Sequence, residues 1–478
     1  MPLLKPSLAL AALLAVTSMA AAAAPSSRAI HLEAEKATLS GPVVAAARPG
    51  FTGSGYVTGF LNGSEKMSLT IPNARAGLYN VRIRYSAQTI KGYDLVVNGV
   101  KTSAIFAPSG EKFASQDAGN VELRNGVNTV EIDYGWGHYD IDSIDLVPTT
   151  VPRLVMPPAA TVDPKASAKT RALKAYLVGR YGLGTLSGQY DAADNKYLRD
   201  VAGKTAAIFG GDFIEYSPSR IAHGSKTKHE TENMIAAGKG GQIVTMSWHW
   251  NAPAGLIDKM ETDSHGKPVD HKWYRGFYTE ATTFDFQKAL ADPKSPEYAL
   301  MLRDIDTIAI QLKKMQAAGV PVLWRPLHEA EGGWFWWGSK GPEPFKKLWR
   351  LMYDRLTNHN NLHTLIWVYS SGTDPKWYPG DKYVDIVGVD QYPSDLRDTE
   401  TGVWKNLLAQ YAGRKPIALT EFGGVPDIPA MQRVGARWSY FVSWTNDLGP
   451  KKNSKDEVKR IYSSPAVINA DKLPRAIR

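Results

Sequence analysis

The chain has 478 residues, 22% of them charged and 43% hydrophobic, enough for a large domain plus a smaller one. Its 56 Lys and Arg against 47 Asp and Glu leave a formal charge of +9, but the basic residues are scattered apart from a short cluster at Lys451, Lys452 and Lys455, so no nucleic-acid partner is expected. With no cysteine, thiol nucleophiles, thiolate metal sites and disulfides are excluded, and the fold must be held by its core.

Residues 1–24 read as a secretory signal: Lys5, an apolar run from Leu8 to Val16, then alanines from Ala20 to Ala24. That run is short for a membrane span and no later stretch is long enough, so an extracellular protein without a membrane partner is expected. Residues 25–147 alternate with period two, as in Tyr79–Tyr85 and Asn128–Asp133, with Asn-Gly turns at Asn62, Asn98 and Asn125. This pattern predicts an antiparallel, jelly-roll-like β-sandwich. Residues 148–164 hold five prolines (Pro148, Pro152, Pro157, Pro158 and Pro164) and read as a semi-rigid spacer.

From 165 to 478 apolar runs alternate with helical stretches such as Tyr298–Ala318 and Pro344–Leu356, the pattern of βα units. Eight strands are predicted: Thr185–Tyr190, Ala206–Phe213, Gln242–Trp250, Val320–Glu329, His363–Ser371, Val384–Tyr392, Pro416–Gly423 and Trp438–Asn446. They fit a (β/α)8 TIM barrel. Glu329 would end the fourth strand and Glu421 the seventh, so both carboxylates would reach the C-terminal rim, where barrel active sites lie. Either alone reads as an ordinary rim salt-bridge partner; as a pair they suit cleavage of a glycosidic bond. Tyr392, ending the sixth strand, is placed to donate to Glu421. His249 and His328 are candidates for hydrogen bonds to sugar hydroxyls, or else hydrogen-bonded barrel histidines. Trp248, Trp250, Trp334, Phe335, Trp336, Trp337 and Trp444 sit where strands meet loops, where a ring can complement the C–H face of a sugar.

The stretches Trp248-His-Trp250, Arg325-Pro-Leu-His-Glu329 with Trp334, Val389-Asp-Gln-Tyr392, Thr420-Glu-Phe-Gly423 and Trp444 resemble glycoside hydrolase family 26, whose principal members are endo-β-1,4-mannanases. The resemblance implies Glu329 as acid/base and Glu421 as nucleophile of a retaining double displacement, with Trp444 under the non-reducing-side sugar and Trp334 on the leaving-group side. His31-Leu-Glu-Ala-Glu35 and Gly135-Trp-Gly-His-Tyr-Asp-Ile-Asp142 resemble a family 35 carbohydrate-binding module. That likeness implies a structural Ca2+ held by Glu33, Glu35 and Asp145; a solvated acidic face is the other reading of these residues. Tyr56 and Trp136, in Gly-rich loops, are the candidate sugar-stacking rings of the module, or else caps on the end of the sandwich. The expected protein is a secreted, monomeric endo-β-1,4-mannanase acting on β-mannan polysaccharide and manno-oligosaccharides, with no cofactor for catalysis. The same fold acting on mixed-linkage glucan or β-1,3-xylan, and a non-catalytic polysaccharide-binding protein, are the alternatives.

Overall fold

The computed structural model describes residues 28–477, so the signal expected at 1–24 lies outside the described residues. The N-terminal unit is a two-sheet sandwich. One sheet runs Val43–Ala45, Tyr56–Thr58, Asp140–Pro148, Gly77–Ser86, Ala114–Leu123, with Ile30–Glu33 also on the Asp140–Pro148 strand. The other runs Thr38–Ser40, Lys66–Ala74, Gly126–Trp136, Lys91–Val97, Val100–Phe106. Alternation does its expected work: along the Gly126–Trp136 strand Asn128, Val130 and Ile132 are buried while the residues between them are not. Phe106 stacks on Tyr93 at 3.9 Å and on Tyr85 at 4.2 Å in the middle of the core. Of the three Asn-Gly pairs, Asn98-Gly99 makes the two-residue hairpin, with φ of 52° and 78°. Asn125-Gly126 instead links strands of different sheets, and Asn62-Gly63 is a loop whose two amides donate to the Glu65 carboxylate, each at 2.9 Å.

The C-terminal unit is a closed barrel of eight parallel strands in sequence order: Gly188–Tyr190, Ile208–Asp212, Ile243–Trp248, Val322–Pro326, Leu365–Ser371, Ile386–Gln391, Ile417–Phe422 and Phe441–Ser443. All eight predicted strands are present, each of them shortened. Leu323, Ile366, Val368, Ile386, Ala418, Tyr440 and Val442 fill the interior, while Trp324 and Trp367 belong to the cluster packed between strands and helices. The longest helix, Pro296–Ala317, starts where Ser295 accepts from the Tyr298 amide and Pro296 takes the first turn. It buries Met301, Ile305, Ile308, Leu312 and Met315 at helical spacing.

The Pro-rich tract is laid on the barrel and does not act as a free spacer. Leu154 and Val162 pack on the barrel core, the Val162 amide donates to Asp385 at 2.9 Å, and Asp163 bonds His363 at 2.8 Å. The sandwich docks directly on the barrel as well. Its Ala114–Leu123 strand meets the helix Thr401–Tyr411. Asn120 donates to the Val434 carbonyl at 3.0 Å, and Thr102 to Asp398 at 3.0 Å.

Candidate active site

The site is built where strands give out. The fourth strand ends at Pro326, and Leu327 (φ 51°) and Glu329 (φ 54°) then take left-handed backbone conformations. Strict alternation, which would set His328 and Glu329 on opposite faces, therefore stops applying at 327. The Glu329 amide donates to the Ser370 carbonyl of the neighbouring strand at 2.9 Å, which fixes the turn. The expectation that Glu329 closes the strand is corrected to a position three residues past it.

Trp334, 47% exposed, donates its indole N–H to Glu329 Oε2 at 2.9 Å. Burial first, then the charges of Asp390 and Glu421, push the Glu329 carboxyl up to about 8. Glu329 is therefore an acid that still holds its proton at neutral pH. Activity in kcat/KM should fall as pH rises through about 8, where that proton is lost; a pH–rate profile with no alkaline limb below pH 10 would contradict this.

Glu421 lies on the seventh strand, 4% exposed. Burial and the charge of Asp390 push its carboxyl up, and the net shift is upward, while Arg325, the Tyr392 hydroxyl and His249 each favour the ionised form. Tyr392, just past the sixth strand, donates to Glu421 Oε1, as expected from sequence. Arg325 is the residue that sequence reasoning left without a role. It is fully buried in the barrel mouth, donates to Glu421 Oε2, to Asp390 Oδ2 at 2.8 Å and to the Tyr190 hydroxyl at 3.2 and 3.3 Å. Asp390 is in turn bonded by Ser370 at 2.7 Å and by Thr420 at 2.8 Å. A charged residue inside an otherwise apolar strand was the available signal, since Arg is almost never fully buried without partners.

Trp444 follows the eighth strand and meets Tyr190 edge-on at 4.9 Å. His249 follows the third strand and is partly exposed beside Phe277, Phe335 and Trp444. His328 differs from expectation. It is 1% exposed, closed in by Phe335 and Trp337, and bonds His249 through Nε2 at 3.1 Å, so it lies behind His249 and away from the open cleft. Trp248, Trp250, Trp336 and Trp337 are all buried and hold the rim: Trp336 donates to the Trp250 carbonyl at 2.6 Å and Trp337 to the His328 carbonyl at 2.8 Å.

In the sandwich, Trp136 is 51% exposed and its indole lies across Gly92, where any Cβ would collide with the ring. Tyr56 does not present its ring: it is 5% exposed and packs against Phe113 at 5.3 Å and Phe51 at 5.9 Å. Aromatic packing at the end of the sandwich wins over display. Glu33 and Glu35 converge on one loop, accepting from Thr52 at 2.9 Å and from the Ser54 amide at 2.9 Å. Asp145 is drawn aside by His31, whose Nδ1 bonds it at 2.6 Å while Nε2 pairs with Glu33 at 3.0 Å. The imidazole thus stands between the members of the expected calcium set. Among the described residues no three carboxylate or imidazole side chains are grouped to hold a cation. Hydrogen bonds to Asp145 and Glu33 raise the proton affinity of His31.

Comparison with known proteins agrees with this geometry. The family model described as glycosyl hydrolase family 26 matches residues 162–472, and that of carbohydrate binding module family 35 matches 30–149. A mannan endo-1,4-beta-mannosidase of Thermothelomyces thermophilus is 42% identical over 96% of this chain and 93% of its own length. A mannan endo-1,4-beta-mannosidase A of Piromyces sp is 31% identical over 94% of this chain and 73% of its own. The crystal structure of a Podospora anserina GH26-CBM35 beta-(1,4)-mannanase superposes with a TM-score of 0.68 at 41% identity, covering 94% of this chain and 99% of that one. With two glutamates in unlike surroundings at the mouth of a parallel barrel, and these matches along its length, the chain belongs to glycosyl hydrolase family 26 and carries a family 35 carbohydrate-binding module.

Proposed function

We propose that the protein is a secreted, retaining endo-β-1,4-mannanase that hydrolyses mannan, glucomannan and galactomannan by double displacement. The observation that carries this reading is the divided environment of the two glutamates. Glu329 is kept protonated beside the Trp334 indole, while Glu421 is braced by Arg325 and Tyr392. Glu329 donates its proton to the leaving glycosidic oxygen as Glu421 attacks the anomeric carbon. Glu329, now a carboxylate, then takes a proton from the water that opens the glycosyl-enzyme bond. Tyr392 and Arg325 hold the attacking oxygens in line before the sugar arrives, so little reorganisation is left for the transition state. Among the described residues no helix is long and apolar enough to cross a membrane, which is compatible with secretion.

Reducing-sugar release from mannan, mixed-linkage glucan and β-1,3-xylan, measured side by side, tests the substrate. Mannan should lead by at least about tenfold, a difference of about 1.4 kcal/mol in transition-state binding. Equal or faster turnover of either other glycan would replace mannan as the substrate. Proton NMR of the first product formed from a defined manno-oligosaccharide should show the β-anomer. In the module, Trp136→Ala should weaken retention on insoluble mannan about tenfold in a pull-down assay. Full retention would remove Trp136 from the binding face.

A further inference from the structure

Asp212, the last residue of the second barrel strand, makes four hydrogen bonds. Its Oδ1 accepts from the Ile214 amide at 2.7 Å and the His249 amide at 3.1 Å. Its Oδ2 accepts from the Ser247 hydroxyl at 2.9 Å and bonds His249 Nδ1 at 2.5 Å. A carboxylate held at this many points cannot swing, and it only accepts. The hydrogen between it and the ring must therefore sit on Nδ1. That leaves His249 Nε2 as the ring nitrogen available elsewhere, and at 3.1 Å it meets Nε2 of His328. Of two ring nitrogens at that distance, one donates and the other accepts. The remaining nitrogen of His328, Nδ1, is buried with no protein partner.

We propose that Asp212 is a positioning residue for the hydrolytic site, fixing the His249 ring with Nδ1–H toward itself and Nε2 toward His328.

The charges around the ring agree. Burial alone would pull the His249 proton affinity down, but Asp212 outweighs it and the net shift is upward. His328 moves the other way: burial, then Arg325 and His249, push it well below the ordinary histidine range, so it is neutral and able to accept. The titratable groups facing His249 are Asp212, His328, Arg325 and Glu421. Behind Asp212 lies Glu230, a carboxyl that burial lifts to about 7. Glu230 thus holds its proton below about pH 7, while His249 and Ser247 favour the ionised form of Asp212.

The proposal rests on the hydrolytic reading in its kinetic arm alone. Nitrogen-15 NMR of the ten histidines in the substrate-free enzyme, with His249 assigned from His249→Gln, reads tautomer and charge directly. The expected result is a proton kept on His249 Nδ1 in the neutral ring, and a His249 titration moved to lower pH by Asp212→Asn. A neutral Nε2–H tautomer at pH 7 in the unsubstituted protein overturns the proposal, even should Asp212→Asn fail to fold and whatever glycan proves to be the substrate. On manno-oligosaccharides Asp212→Asn should lower kcat by 10- to 100-fold with KM changed less than threefold. Asp212→Glu should recover to within about tenfold of the original rate. Unchanged kcat in a folded Asp212→Asn would equally overturn it.

Discussion

Glu329→Ala lowers kcat/KM on mannan by about 10²–10⁴-fold, the range for loss of a positioned proton donor. The loss should depend on the leaving group. A sugar alkoxide needs the proton, whereas an activated aryl group departs without it, so aryl mannosides keep much of their first-step rate and the glycosyl-enzyme accumulates. Azide needs no general base, so its addition should restore turnover in this variant and give the β-mannosyl azide. Removal of the other carboxylate has a larger effect and a distinct signature. Glu421→Ala should lose on the order of 10⁴-fold or more, because no covalent intermediate can form. Azide acting from that side would give the α-azide. The two azide products, identified by NMR, separate the roles independently of the size of either loss. The same azide anomer from both variants, or full activity in Glu329→Ala, would end the double-displacement assignment.

The second large effect is on Arg325. Its guanidinium serves two buried carboxylates and one buried hydroxyl, all within the barrel mouth. Arg325→Met removes the cation and leaves Glu421 and Asp390 facing one another in a low-dielectric site. Breaking a buried pair in this way costs about 3–5 kcal/mol, because the partner charges stay behind uncompensated. The urea midpoint should fall accordingly. The kinetic sign follows from the same loss. Arg325 favours the ionised form of Glu421, so without it the nucleophile binds its proton more tightly. The acid limb of kcat/KM should then move to higher pH, and the reaction should be lost progressively as pH falls through that new, higher value. A variant with unchanged urea midpoint and unchanged acid limb would show that Asp390, Ser370 and Thr420 alone suffice to hold the nucleophile.

The barrel was legible because eight apolar runs alternated with helical ones, and the two glutamates were legible because each lay at the end of such a run. What periodicity could not supply was the backbone past the last laddered residue. Its period is two only while the strand lasts, and at Leu327 the strand has ended. The depth of His328 behind His249 therefore did not follow from counting. Tyr56 was misread for a related reason: Gly-rich surroundings imply freedom of the chain but do not decide whether a ring turns outward or joins Phe51 and Phe113. Asp145 lies on the strand paired with Ile30–Glu33, and the His31 imidazole that bonds it belongs to the same motif as Glu33 and Glu35. Arg325 was written into the motif, but its three partners come from the first, sixth and seventh strands, contacts that only closure of the barrel creates.

The left-handed turn that carries the proton donor has an evolutionary consequence. For a residue with a side-chain Cβ that conformation costs roughly 1–2 kcal/mol, and Leu327 and Glu329 each adopt it. Descendants of this chain selected only to survive heat would drift toward glycine or asparagine at both positions and gain robustness as they lost the ability to cut. Glutamate at 329 thus sets turnover against durability, since the side chain that protonates the leaving group sits where glycine would fit with less strain.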